Sequence, residues 1–378
     1  MLKLKDLSYW ERNTYFDNLD FLIIGSGIVG CSTALHLRKT HPQARILILE
    51  RSYLPSGAST KNAGFACFGS VTELVDDLGR MPASEVWDTV SRRWEGLQYL
   101  RELIGDAQLD FQSNGSWDLV HNLDATAAEK GLQQLPELNQ MLERITGMPN
   151  VMQEDRNAAQ HFGFREIETS FYNRLEGQID SGKMMARFHA LLVASGIHLL
   201  NGIEVLNFEA QADEVVVQLS IGEIRVPQLA ICVNGFAARF LPQEDVLPAR
   251  AQVLITQPIP DLKWQGTFHL DAGYYYFRNI HNRVLLGGGR NLDIPGETTT
   301  ELRNTTQITD ALQRMLREVV LPDTPFEIDR HWAGIMGVGQ TKKPIVKLIH
   351  PRVATGVRMG GMGIAIGSLV GKEVAELF

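Results

Sequence analysis

Residues 21–37 read FLIIGSGIVGCSTALHL: an apolar run, three glycines and then a helical pattern. Asp20–Gly25 reads as a buried strand, Gly30–Thr40 as a helix closed by Pro42, and Ala44–Leu49 (ARILIL) as a second, parallel strand. Strand, helix and strand within about 30 residues make a βαβ unit. Inside it Gly25, Gly27 and Gly30 spell G-x-G-x-x-G, the spacing that lets a backbone approach a pyrophosphate at a helix N-terminus. Ser26, Ile28 and Val29, between those glycines, belong to the same cradle. Glu50 stands about 20 residues beyond Gly30, where a carboxylate can bind a ribose hydroxyl and disfavours a 2′-phosphate. The unit predicts a bound dinucleotide and leaves open whether that is a nicotinamide or a flavin.

The whole chain narrows the function classes. Its 378 residues, 44% of them hydrophobic, suffice for two lobes with a shared or paired core. A net charge of −8 excludes the basic footprint of a nucleic-acid partner. No apolar run reaches the roughly 18 residues of a membrane span, and MLKLKDLSYWERN lacks the apolar core of a secretory signal. Cys31, Cys67 and Cys232 are odd in number, far apart and free of any C-x-x-C pattern. They imply no disulfide framework, no metal site and a reduced, cytoplasmic setting.

Beyond the first unit, Ser8 and Glu11 have capping-box spacing for a short helix over Leu7–Asn13. Helices are expected over Val86–Ile104, Asp124–Ile145, Gly182–Ala194, Glu301–Val319 and Ser368–Leu377. Strands are expected over Asp110–Val120 (with a turn at Asn114-Gly115), Ile197–Leu200, Val215–Leu219 and Leu229–Val233, and Pro248–Gly289 is β-rich. The βαβ signals fall at the start, middle and end. That interleaving predicts an α/β protein with a discontinuous dinucleotide domain (1–85, 172–240 and 335–378) and a substrate domain (86–171 and 241–334).

The choice of dinucleotide rests on two further stretches. ERSYLPSGASTKNAGF, Glu50–Phe65, follows the second strand directly. Its Arg51, Ser59, Thr60, Lys61, Asn62, Ala63, Gly64 and Phe65 can line a longer cofactor's pyrophosphate and ribityl chain, for which a nicotinamide dehydrogenase has no need. GVRMGGMGIAIGSLVGKEVAELF, Gly356–Phe378, sets Gly360, Gly361, Met362, Gly363 and Ile364 before the last helix. The wording G-A-S-x-x-N-A-G resembles the D-amino-acid-oxidase-type flavoproteins, the family of glycine oxidase, sarcosine oxidase and the D-amino-acid dehydrogenase small subunit. The resemblance continues through LEGQIDSGKM, NGIEV (with Val205), AICVNGFAARFL (with Asn234 and Gly235), YYYFR, LLGGGR and HWAGIM. It implies FAD.

The family fold is a Rossmann-type FAD-binding domain with an interleaved α+β substrate domain on a mixed, largely antiparallel sheet. The resemblance further implies hydride removal from a carbon bearing an amine to flavin N5, followed by imine hydrolysis. The partners would be a small amine or amino acid and O2 or another electron acceptor; no catalytic side chain is assigned. Strand alternation places Tyr274, Tyr276 and Arg278 on one face, resembling the family's carboxylate-binding strand. A core-edge aromatic ladder with a surface arginine is the alternative, and Arg290 is a second candidate cation.

Three departures qualify the resemblance. Met336 stands where the amino-acid oxidases carry a carboxylate-gripping arginine. Leu285 or Leu286 replaces the lysine associated with oxygen reactivity in sarcosine oxidases. No cysteine follows Cys232, so the FAD is expected to be non-covalent. His331 and Trp332 read as core packing with cavity lining as the alternative, Cys67 as a small buried hydrophobe with a place near the ring as the alternative, and Lys342-Lys343-Pro344 as a solvated loop with a lysine at the cavity mouth attracting an acid as the alternative. A 2-hydroxy-acid dehydrogenase and a flavin-bearing electron-transfer subunit remain the alternatives, because fold does not separate them.

Overall fold

The structure, a computed structural model, describes residues 3–378; the first two residues of the expected 1–85 segment lie outside the described residues. At its centre Phe21–Ile24, buried at every position, pairs in parallel with Ile46–Glu50 on one side and Gln228–Ile231 on the other. The six-stranded sheet runs in the order Ile345–His350, Val353–Val357, Gln228–Ile231, Phe21–Ile24, Ile46–Glu50, His198–Asn201. Its inner strands are nearly continuous apolar runs, broken by the buried Thr355 and ended by Gln228 and Glu50, because both faces are covered. One face packs against helices Ile28–Thr40, Ser181–Ala194 and Gly363–Ala375. The other packs against a three-stranded antiparallel layer, Val205–Ala210, Val215–Leu219 and Gly222–Val226.

A second sheet has eight strands, in the order Ile328–Val338, Leu247–Thr256, Arg283–Gly288, Tyr275–Ile280, Thr267–Leu270, Ser116–His121, Ile167–Asn173, Met152–Glu154. All its neighbours are antiparallel except Thr267–Leu270 with Ser116–His121. The α/β class with a mixed, largely antiparallel second sheet is therefore as the sequence implies.

Several elements depart from the sequence reading. The strand expected from Asp110 begins at Ser116, because Asp106–Leu109 forms a helical turn and Gly115 turns the chain at φ 82°. The last helix begins at Gly363 rather than Ser368, its glycines being helical under tertiary packing that propensity does not see. The helix expected over Glu301–Val319 starts at Thr306 and ends in a π turn, Leu316–Val320. Val71–Arg80 forms a helix the sequence reading omits, its start capped by Ser70 Oγ accepting from Glu73 N at 3.4 Å.

The expected cuts also fall inside elements. Helix Ala83–Ile104 starts beside Phe171 through Val86 and Val90, and ends in the core of the six-stranded sheet through Leu97, Leu100 and Ile104. Strands Ile167–Asn173 and Ile328–Val338 likewise run across residues 171/172 and 334/335.

Helices Ala83–Ile104 and Gly363–Ala375 touch at Gly96, where an added Cβ would lie 2.4 Å from Ala365 O and 3.0 Å from Ile366 Cα. Backbone cannot yield as a side chain does. Gly96→Val is expected to destabilise the fold by about 1–3 kcal/mol, read as a lower urea midpoint; an unchanged midpoint would show that the helices part freely.

Candidate active site

A cavity of about 700 Å³ opens between the sheets, within the span of roughly 300–1,000 Å³ common for small-molecule sites. At one end the three glycines have three separate jobs. Gly25 turns at φ 100°, and a Cβ there would lie 2.7 Å from Cys232 O. A Cβ on Gly30 would sit 2.0 Å from Gly25 O, so Gly30 serves helix–strand packing and does not line the cavity. Gly27 caps helix Ile28–Thr40 and lines the cavity, and a Cβ on it would meet Ser59 Oγ at 2.8 Å. Ser59 Oγ accepts from Ile28 N at 3.0 Å. Glu50 also lines the cavity; its Oε2 accepts from Ser26 N at 3.3 Å and Ser26 Oγ at 3.2 Å. Arg51 lies over the Phe236 ring at 3.9 Å.

The second loop is organised by Asn62. Its Oδ1 accepts from Gly64 N at 2.8 Å and from Ser181 Oγ at 2.6 Å, while Nδ2 donates to Ser59 O at 2.8 Å. Lys61, Asn62, Ala63, Gly64 and Phe65 line the cavity, as do Val205 and Asn234 farther along the chain. Ser26, Thr60 and Gly235 do not. Ser26 is buried against Glu50, Thr60 Oγ1 donates to Pro55 O at 2.6 Å, and Gly235 backs onto the Met336 carbonyl. Gly360 (φ 58°) and Gly361 (φ 85°) lead into helix Gly363–Ala375, and 360–364 form the facing wall. Two helix N-termini and a glycine cradle that a Cβ would obstruct thus face one cavity. The arrangement fits FAD: Gly25–Val29 could hold its pyrophosphate and 360–364 its flavin end.

At the other end the structure brings together Tyr274, Tyr276, Arg290 and Met336 but not Arg278. Arg278 is 5% exposed and donates from one nitrogen to Gly64 O at 2.9 Å and Ile179 O at 2.8 Å. Burial lowers its pKa to about 10, partly offset by Asp180 and Asp110. The alternation was sound; the far end of that face closes on the Asn62-Ala63-Gly64 turn, so Arg278 holds the loop rather than a ligand. Tyr276 is partly buried without a charged partner, and this desolvation pushes its phenol up to about 12. Trp332 Nε1 donates to Lys61 O at 3.0 Å, and neither it nor His331 lines the cavity.

The sequence reading missed the helix Val71–Arg80, which turns Glu73, Asp76, Asp77 and Arg80 toward the cavity. Their i, i+3, i+4, i+7 spacing was the available signal. Lys342, read as part of a solvated loop, is ion-paired instead: its Nζ lies 2.8 Å from both Glu73 and Asp77, and Arg93 approaches Glu73 at 3.2 Å. Burial opposes ionisation of Glu73, but Arg93 and Lys342 outweigh it and bring its pKa down to about 2.

With the cradle, the paired helix ends and the aromatic pocket in place, the comparisons define the class. The model of the FAD dependent oxidoreductase family matches residues 20–377, and the chain belongs to that family. It is 21% identical over 358 residues to sarcosine oxidase subunit beta of Rhizobium meliloti (strain 1021), covering 89% of this chain and 78% of the relative. Glycine oxidase from Geobacillus kaustophilus superposes with a TM-score of 0.76 at 20% identity, over 95% of this chain and 94% of that one. L-Proline dehydrogenase from P. horikoshii gives 0.75 at 17% identity, over 95% and 93%. Among the described residues no helix is long and apolar enough to cross a membrane.

Gly27→Val should fold yet lose its yellow colour, because the branched side chain meets Ser59 and fills the phosphate approach. Full FAD occupancy by absorbance after gel filtration would contradict this use of the loop. For Glu73 the folded pKa lies below the unfolded value of about 4.3, so its contribution is present above that pH and is lost as pH falls toward 2. Glu73→Gln should cost about 1–3 kcal/mol near neutrality and flatten the fall in stability over that acid window, measured by urea unfolding against pH.

Proposed function

We propose that the protein oxidises the C–N bond of a small amine-bearing acid, with non-covalent FAD as the first electron acceptor. The observation that carries this is Arg290. It lines the cavity beside Tyr274 and Tyr276 and forms no ion pair among the described residues, whereas Arg278 is occupied by backbone carbonyls. A guanidinium left unpaired in a partly desolvated wall is suited to a carboxylate, which it can hold by two parallel hydrogen bonds. Met336 then offers the substrate an apolar surface, and the two phenols supply donors near its polar end.

Bound FAD supplies the hydride acceptor, and the imine product hydrolyses in water. The chain's part is binding, orientation and field. The N-terminus of Gly363–Ala375, with the amides of Gly360 and Gly361, favours negative charge developing at that wall. Tyr276, partly buried in the cavity wall and protonated, orients the substrate as a neutral donor. Burial pushes the cavity-lining Cys232 thiol up to about 12, which makes it a poor nucleophile toward a flavin and favours a non-covalent cofactor. Three free, buried cysteines accord with a reducing cytoplasm. Electrons leave to O2 or another acceptor.

Anaerobic reduction of the bound flavin by matched amines with and without a carboxylate tests the reading. Arg290→Ala should raise KM at least about tenfold for acids and leave neutral amines little changed, the loss of a charge-assisted contact. Arg278→Ala should lower stability and FAD retention without distinguishing acids from amines. Equal effects of Arg290→Ala on both substrate classes would overturn the anchor, and no reduction by any amine would overturn the C–N assignment.

A further inference from the structure

Three side chains, each about a hundred residues from the next, converge beside the substrate end of the cavity. Cys67 follows the short strand Phe65–Ala66, Glu176 precedes its antiparallel partner Gly177–Gln178, and His269 lies on Thr267–Leu270. The Cys67 sulfur, one Glu176 oxygen and one His269 ring nitrogen all lie within 4.8 Å of one another. Cys67 and Glu176 are buried and His269 is partly buried, yet Cys67 and His269 line the cavity and give the cluster an entry path.

The way these groups are held is informative. Glu176 Oε1 accepts from Phe68 N at 2.7 Å and Gly69 N at 2.9 Å, which fixes the carboxylate and leaves Oε2 turned away from the backbone. That Oε2 is buried with no hydrogen-bond partner among the described residues, and so is Nε2 of His269. Buried polar atoms are ordinarily partnered, so two orphans in one mixed cluster call for something that binds lone pairs. The His269 ring is braced edge-on by Phe65 at 5.1 Å.

We propose that Cys67, Glu176 and His269 bind a zinc-class divalent cation, with a fourth coordination position open to the cavity. Sulfur, imidazole and carboxylate together suit a borderline-soft metal, whereas magnesium and calcium require more oxygens. Three protein ligands with one open position is the pattern of an accessible site rather than a closed structural one. The two amides on Glu176 Oε1 give the outer-shell support that orients a ligating carboxylate. Bonds of about 2.0–2.3 Å place tetrahedral donors about 3.4–3.8 Å apart, so the cluster must contract by up to about 1.4 Å. Binding releases the thiol proton, with Cys67 ligating as thiolate and His269 as neutral imidazole. The open position takes a water or a carboxylate oxygen from the cavity.

The test uses flavin-loaded protein treated with chelator, incubated with Zn2+ and desalted. Elemental analysis should find one zinc per chain, and zinc-edge X-ray absorption should find one sulfur neighbour. Cys67→Ser should remove the sulfur signal and weaken uptake at least about tenfold, and Glu176→Gln should weaken it similarly at unchanged flavin content. Absence of stoichiometric uptake by the wild-type protein, or zinc bound without a sulfur neighbour, would overturn the site. Both wild-type results stand whether or not the variants fold, and neither depends on the substrate proposed above.

Discussion

Backbone-to-backbone contact between helices is the constraint on which the rest of this structure depends. Helix Gly363–Ala375 lies so close to Ile28–Thr40 that a Cβ on Gly371 would sit 2.6 Å from Val29 O and 2.9 Å from Thr33 N, and one on Gly367 3.0 Å from the Ile28 Cγ2 methyl. Ser32 Oγ closes the contact by donating to Ser368 O at 2.7 Å. These are the two helices that aim their N-termini into the cavity, so their separation sets the distance between its Gly25–Val29 wall and its 360–364 wall. Larger residues at those glycines would move one dipole relative to the other before they touched any ligand.

A second level of organisation holds the loop between the helices. Asn62 satisfies the turn from inside, and Arg278 closes it from the other sheet through two carbonyls. A cation expected at the ligand is thereby committed to aligning one sheet's loop with the other sheet's strand. That commitment takes Arg278 out of the cavity wall, whereas Arg290, at the end of the neighbouring strand, lines it.

What could be read in the sequence was whatever depends on local spacing. The βαβ unit, the acid at Glu50, the Asn62-Ala63-Gly64 turn and the glycines before the last helix are short-range patterns dictated by backbone geometry, and each lines or backs the cavity. Periodicity on Tyr274–Arg278 gave the shared face but not what that face meets. The pairing of Lys342 with Glu73 joins residues 269 positions apart, and no local pattern encodes it. The helix Ala83–Ile104 shows why domain limits were beyond reach: its two ends belong to two cores, and its own pattern records only that both are apolar.

The cavity's two walls also impose an order on biosynthesis. The glycine wall at 25–29 emerges from the ribosome early, but the facing wall at 360–364 is made about 330 residues later. Pairings this distant close slowly and leave apolar surface exposed meanwhile. The first strand and helix must therefore wait, flanked by an unfinished core, until nearly the whole chain has been translated. A ligand that spans both walls binds only the completed fold and draws the nascent chain toward it by mass action. For a chain of this FAD-dependent family, a ligand held between both walls thus adds to the stability of the fold as well as to its activity.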